Sequence, residues 1–200
     1  MSSSPFLIRQ AAERDRAALS EICLKTANAG TDASALYSDP AYPGLRFVMP
    51  YAIFEPELAF VLEENGRTLG YVVAARDTAA FEQRLQRDWW PGLREKLADR
   101  RALLPLDEGV LDFIRQPQSK EAGLLEQYPA HLHINILPQA QGGGQGRRMI
   151  ETELEALRRA GVTGVHLGVS LKNEPVCAFY ERLGFRLLHR SQAIYMGQIL

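Results

Sequence analysis

The stretch NILPQAQGGGQGRRMIETELEALRRAG, residues 135–161, decides how the rest of the chain is read. Its centre, Gly142, Gly143 and Gly144 followed by Gln145 and Gly146, is too rich in glycine for a helix or a strand. Yet it passes directly into Ile150, Leu154 and Leu157, spaced as on one face of a helix that Gly161 ends. A glycine-rich turn that opens a helix leaves the first-turn N–H groups unpaired. With the positive end of the helix dipole they form an anion site, and the missing Cβ atoms let a phosphate reach the backbone. The stretch predicts a phosphate-bearing ligand, most simply a nucleotide or a coenzyme. A flexible turn without a ligand is the alternative, although such a turn needs only one or two glycines.

Two phosphate motifs are excluded by spacing. A P-loop requires Gly-Lys followed by Ser or Thr, which this loop lacks. A dinucleotide fingerprint requires glycine at 147 or 149, where Arg147 and Met149 stand.

Upstream, HLHINILP (131–138) alternates as a strand, with Leu132, Ile134 and Ile136 on one face and His131, His133 and Asn135 on the other. Downstream, GVHLGVS (164–170) is a second strand. A helix through VCAFYERLG follows, capped by Asn173 and ended by Gly184, and FRLLHRS and AIYMGQIL close the chain as paired strands. At the other end, PFLIRQA (5–11) is a strand and the segment after it a helix with Gly30 as its stop. Residues 31–57 have no clear period, which predicts either a long loop or irregular helical turns over a site. LAFVLEENGRTLGYVVAARD (58–77) is a hairpin about Asn65-Gly66. Between about 77 and 128 the pattern turns helical and carries Trp89 and Trp90. The order predicts an α/β or α+β sheet with helices on both faces and a parallel strand-helix-strand unit.

The composition is that of a globular chain: 200 residues, 46% hydrophobic and 24% charged, which suits one domain with an insertion. A net charge of −1 gives no electrostatic reason to expect nucleic acid or an anionic membrane as partner. No apolar run reaches the ~20 residues of a membrane span, and the start, MSSSPFLIRQ, lacks a leader pattern. Cys23 and Cys177 stand alone, as free thiols in a reducing cytoplasm would. The expectation is a cytoplasmic protein, monomeric or homodimeric through its C-terminal strands.

The loop resembles the acetyl-coenzyme A loop of the GNAT acetyltransferases, Q/R-x-x-G-x-G/A after a strand: Gln141, Gly144 and Gly146 fill it, and Ile136-Leu137-Pro138 fill the strand end. The family's N-x-x-A-x-x-F-Y-x-x-x-G-F pattern follows as Asn173, Phe179-Tyr180 and Gly184-Phe185, with Val176 in place of Ala. The chain is also similar to bacterial acetyltransferases related to the C-terminal acetyltransferase-like domain of O-GlcNAcase. The resemblance implies a mixed, mostly antiparallel sheet with the helical insertion between the third and fourth strands. It implies acetyl-CoA as donor and direct acetyl transfer to the amine of an unidentified acceptor, a small molecule or a peptide. The alternative is a coenzyme-binding protein without turnover.

By that resemblance Tyr180 protonates the leaving thiolate, Ile134 and Ile136 lend their backbone to the pantetheine arm, and the loop Gln141, Gly142, Gly143, Gly144, Gln145, Gly146 and Arg147 holds the pyrophosphate. Asn173 either touches the coenzyme or only caps its helix. Amine acetylation also needs a proton acceptor. His131 and His133 are the candidates, with Glu63, Glu64, Asp77 and Asn135 behind them, and plain strand histidines are the alternative. A metal is not expected, since the H-x-H pair lacks a third ligand. Trp89 and Trp90 are either core of the insertion or, with Asp39 and Tyr42, a wall for a cationic or sugar-like acceptor.

Overall fold

The computed structural model describes residues 6–118 and 122–200. The first five residues, part of the segment read as leaderless, lie outside the described residues, as do positions 119–121 of the insertion. The chain begins with β1 (Leu7–Gln10) and α1 (Arg16–Leu24). Arg9 ties the two together by bonding Asp15 at 2.7 and 2.8 Å and Glu63 at 2.8 Å. The helix stops at Leu24, before Gly30: Thr26 Oγ1 donates back to the Ile22 carbonyl at 2.7 Å, and the chain turns through Ala29 (φ 51°) and Gly30 (φ 92°).

The aperiodic segment folds as two short helices, α2 (Tyr42–Phe47) and α3 (Met49–Phe54), each started by a proline in its first turn. The hairpin is as expected: β2 (Ala59–Glu64) and β3 (Arg67–Ala75) flank Asn65 and Gly66, both at positive φ (52° and 76°). The insertion comprises α4 (Thr78–Asp88), α5 (Trp90–Lys96), α6 (Asp107–Arg115) and α7 (Ala122–Gln127). Asp77 caps α4 by accepting from the Ala80 N–H at 2.9 Å. Phe81, Leu85, Trp90, Leu93, Val110 and Ile114 give the insertion an apolar cluster of its own.

After it come β4 (Ala130–Ile136), α8 (Gln145–Arg159), β5 (Gly164–Val169), α9 (Cys177–Glu181), β6 (Arg186–Arg190) and β7 (Ile194–Ile199). The sheet order is β1-β2-β3-β4-β5-β7-β6, antiparallel except where β4 meets β5. Asn135 pairs in register with Tyr71, and Tyr71 and Cys23 of α1 belong to one buried cluster, so α1 covers the His133 face of β4. Gly146 of α8 faces Ile136 and so covers the opposite face. This is the mixed, mostly antiparallel sheet with helices on both faces.

One irregularity matters most. β4 and β5 are paired only at Ala130–Val165 and His131–His166, after which they diverge. The splay opens a cleft in the middle of the sheet.

Candidate active site

The loop at the head of α8 adopts a backbone that glycine alone takes readily: Gly142, Gly143 and Gly144 have φ of 81°, 55° and 79° in succession. Among the described residues, the N–H groups of Gly143, Gly144, Gly146 and Arg147 find no protein acceptor. A Cβ on Gly142 or Gly144 would meet nothing within 4 Å, so the loop is open at these two positions. Gly146 serves another purpose: a Cβ there would lie 3.2 Å from Phe179, so its absence lets α8 pack on α9. The side chains flanking the loop brace it. Gln141 Nε2 donates to the Ile136 carbonyl at 2.8 Å, and buried Gln145 accepts from Arg148 at 2.7 Å. Arg147 is exposed and lies 3.4 Å from Glu151. Unpaired donors at the positive end of a 15-residue helix fit a phosphate-bearing group.

The cleft joins this loop along β4. Leu137 donates to Leu69 of β3, so the odd-numbered residues of β4 turn their backbone groups toward β3. Ile134 and Ile136 therefore turn theirs toward β5, across the gap beyond the end of the ladder, where the Ile136 carbonyl accepts from Gln141. The cavity there is about 260 Å³ and is walled by Leu132–Asn135, by Leu167–Ser170, by the turn after α1 and by Phe47, Asn173 and Tyr180. Tyr180 is buried, its ring held edge-on between Phe179 and Phe185, and burial raises its pKa well above the usual phenol value. Tyr180 lines the cleft, and among the described residues no hydrogen bond ties down its hydroxyl.

The two histidines predicted together have separate environments. His131 does not line the cleft, and both its ring nitrogens are taken. Thr78 Oγ1 gives its one proton to the Pro129 carbonyl at 2.7 Å, so it must accept from His131 Nδ1 at 2.8 Å. That leaves Nε2 to accept from the Tyr51 hydroxyl at 2.7 Å. His131 thus joins α3, α4 and β4, and it has no lone pair to offer as a base. His133 lines the cleft, with its ring between Phe47 and Tyr71 (centroids 5.9 Å from each). Burial lowers its pKa to about 4, so it is neutral near pH 7. Asn135 Nδ2 holds it by donating to both His133 Nε2 (3.1 Å) and the Tyr71 hydroxyl (2.7 Å).

Other expectations are corrected. Ser170, rather than Asn173, caps the turn before α9, accepting from the Lys172 N–H, while Asn173 lines the cleft. Glu63 is bound to Arg9, Asp77 caps α4, and Glu64 ends β2 beside the hairpin turn. Tyr42 of α2 and Trp90 of the insertion are buried in one apolar cluster, and Trp89 Nε1 donates to the Leu45 carbonyl at 3.0 Å. Asp39 accepts from the Ala41 N–H. None of these lines the cleft. Cys23, Tyr71 and Phe47 were not candidates, although a single hydroxyl in the apolar run GYVVAA signals a buried partner. Among the described residues no group of His, Cys, Asp or Glu could hold a metal, and no helix is long and apolar enough to cross a membrane.

The fold is shared with known proteins. The model of the acetyltransferase (GNAT) family matches residues 31–185, well over half the chain. Among curated proteins, O-GlcNAcase of Rattus norvegicus is 22% identical over 186 residues, covering 92% of this chain and 20% of that protein; the chain thus spans about a fifth of its relative. Among solved structures, SsHAT superposes with a TM-score of 0.89 at 37% identity, over 97% of this chain and 98% of that one. YncA, a putative acetyltransferase from Salmonella typhimurium solved with its cofactor acetyl-CoA, shares the fold at TM-score 0.57 and 17% identity, over 98% and 94%. A glycine loop of this form, the splayed strands beside it and the extent of the family match lead to one assignment: the chain belongs to the GNAT acetyltransferase family.

Proposed function

We propose that the protein transfers an acetyl group from acetyl-CoA directly to an amine. The observation that carries this reading is that the glycine loop follows directly on β4, whose edge toward β5 is unpaired beside the cleft. The solved structure of YncA with acetyl-CoA supports the choice of coenzyme. Acetyl-CoA supplies the acetyl group as a thioester.

The chain's own residues would then divide the work. The N–H groups of Gly143, Gly144, Gly146 and Arg147 bind phosphate oxygens, and the Arg147 side chain adds charge. The backbone groups of Ile134 and Ile136 pair with the pantetheine arm, as a missing sheet partner would. Tyr180 is the proton donor to the departing sulfur, a role allowed by its place in the cleft and by a hydroxyl that no hydrogen bond ties down among the described residues. Neutral His133 lines the cleft and would accept the proton of the incoming nitrogen at Nε2 once the Asn135 amide, which donates to that nitrogen, turns away.

Calorimetric titration with acetyl-CoA, followed by thiol release over a panel of amines, tests both halves. Absence of binding would sink the proposal. Binding without turnover of any amine would select the second reading, a coenzyme-binding protein, which the absence of a carboxylate in the cleft favours.

A further inference from the structure

The cleft where acetyl transfer would occur has an unusual electrostatic character for a site that takes an amine. Among the described residues that line it there is no Asp, Glu, Lys or Arg. Its titratable groups are Cys23, His133 and Tyr180, and each is neutral near pH 7: burial pushes the Cys23 thiol up to about 12, lowers His133 to about 4 and raises Tyr180. The nearest carboxylate in sequence, Glu174 beside Asn173, is ion-paired with Arg190.

A second, independent observation has the same sign. Arg46 lies behind the cleft wall, its guanidinium 4.7 Å from the centre of the Phe47 ring and 3.9 Å from that of Phe113. Its polar contact is the Gly109 carbonyl at 2.8 Å, and among the described residues no carboxylate pairs with it. An uncompensated cation thus stands one aromatic ring away from the space an acceptor must enter. An alkylammonium would lose its hydration there, gain no counter-ion and face a like charge.

We propose that the acceptor nitrogen enters uncharged, and that the substrates are weakly basic amines, aryl amines foremost, instead of alkylammonium groups such as lysine side chains. The inference rests on the acetyl-transfer reading. The proton balance agrees with it. The N–C bond forms as the C–S bond breaks, the nitrogen gives up one proton and the sulfur takes one, so a neutral amine needs no net base. An ammonium must first lose a further proton. A lysine-type ammonium titrates near about 10.4, so its transfer to His133 would be uphill by about six powers of ten.

The test compares two isomers, 4-methylaniline and benzylamine, after calorimetry has established that acetyl-CoA binds. Thiol release is followed from pH 6 to 10. At pH 7 the aryl amine should have a kcat/KM at least about tenfold higher, with a flat profile, while benzylamine climbs about tenfold per pH unit toward its own pKa. Equal or better use of benzylamine at pH 7 overturns the inference. So does failure to acetylate either amine while acetyl-CoA binds, an outcome that leaves the coenzyme site standing. A second variant guards against a binding-geometry artefact. Ala29 lines the cleft at φ 51°, where Asp and Asn are tolerated, so Ala29→Asp adds the missing carboxylate and Ala29→Asn is its neutral control. Ala29→Asp should shift the preference several-fold toward benzylamine relative to Ala29→Asn, and an unmoved ratio overturns the electrostatic argument.

Discussion

Two glycines in this fold provide a matched test of the phosphate cradle. Gly144 caps α8 at φ 79° and Gly66 closes the β2–β3 hairpin at φ 76°; an added Cβ meets nothing within 4 Å at either. Alanine at each should therefore carry the same backbone penalty, about 1–2 kcal/mol for a left-handed L-residue. In a chain of 200 residues that lowers the melting temperature by about 2–8 °C. Coenzyme binding should separate the pair. If Gly144→Ala tilts one N–H away from a phosphate oxygen, the lost charge-assisted bond is worth about 1.5–3 kcal/mol. That corresponds to about a tenfold to hundredfold rise in the Kd of coenzyme A. Gly66→Ala, at the far end of a hairpin, should leave the Kd within about twofold. The assay is calorimetric titration of coenzyme A into both variants, with thermal unfolding in parallel. Equal losses of affinity, or none in either, would refute the reasoning and reduce the glycine run to a turn.

Tyr180→Phe keeps the ring contacts with Phe179 and Phe185 and removes a hydroxyl that no hydrogen bond ties down among the described residues; turnover should fall about 10²–10⁴-fold with coenzyme affinity within threefold, and a parallel loss of affinity would mean the hydroxyl binds instead of donating. His133 is neutral in the fold down to about pH 4, whereas the unfolded chain protonates near 6.5, so stability is lost as pH falls through that window and levels off below it. Its half-buried ring bounds the loss at about 3 kcal/mol, and His133→Gln should flatten that part of the curve in urea melts at pH 7, 5.5 and 4.5. Glu153 on α8 is fully buried, and neither carboxylate oxygen has a partner among the described residues, so burial raises its pKa and stability should decline as pH rises above the ordinary glutamate range. Glu153→Leu should raise stability by about 1–3 kcal/mol at pH 7.5, measured by thermal unfolding; a fall would reveal a partner for the carboxyl.

The features legible in the sequence share a local cause. Gly142–Gly144 could be read because a run of left-handed residues needs glycine at every position, and Asn65-Gly66 because a tight hairpin needs two. The strands from 131 onward followed from alternation alone. What stayed hidden depends on register between distant segments. His131 and His133 share one face of β4, and no local pattern tells them apart. They differ because the β4–β5 ladder ends at His131 paired with His166. The first is sealed beneath α3 and α4, while the second, two residues on, opens into the gap. The Tyr71–Asn135–His133 chain is likewise a product of the β3–β4 register. The same divergence frees Ile134 and Ile136 to face the gap and brings Tyr180 opposite His133. One break in a sheet ladder therefore opens the cleft, and with it the space that the proposed function gives to the coenzyme, to Tyr180 and to His133. A chain that kept β4 and β5 paired two residues further would put His133 where His131 is, with both nitrogens enclosed and no cleft to serve.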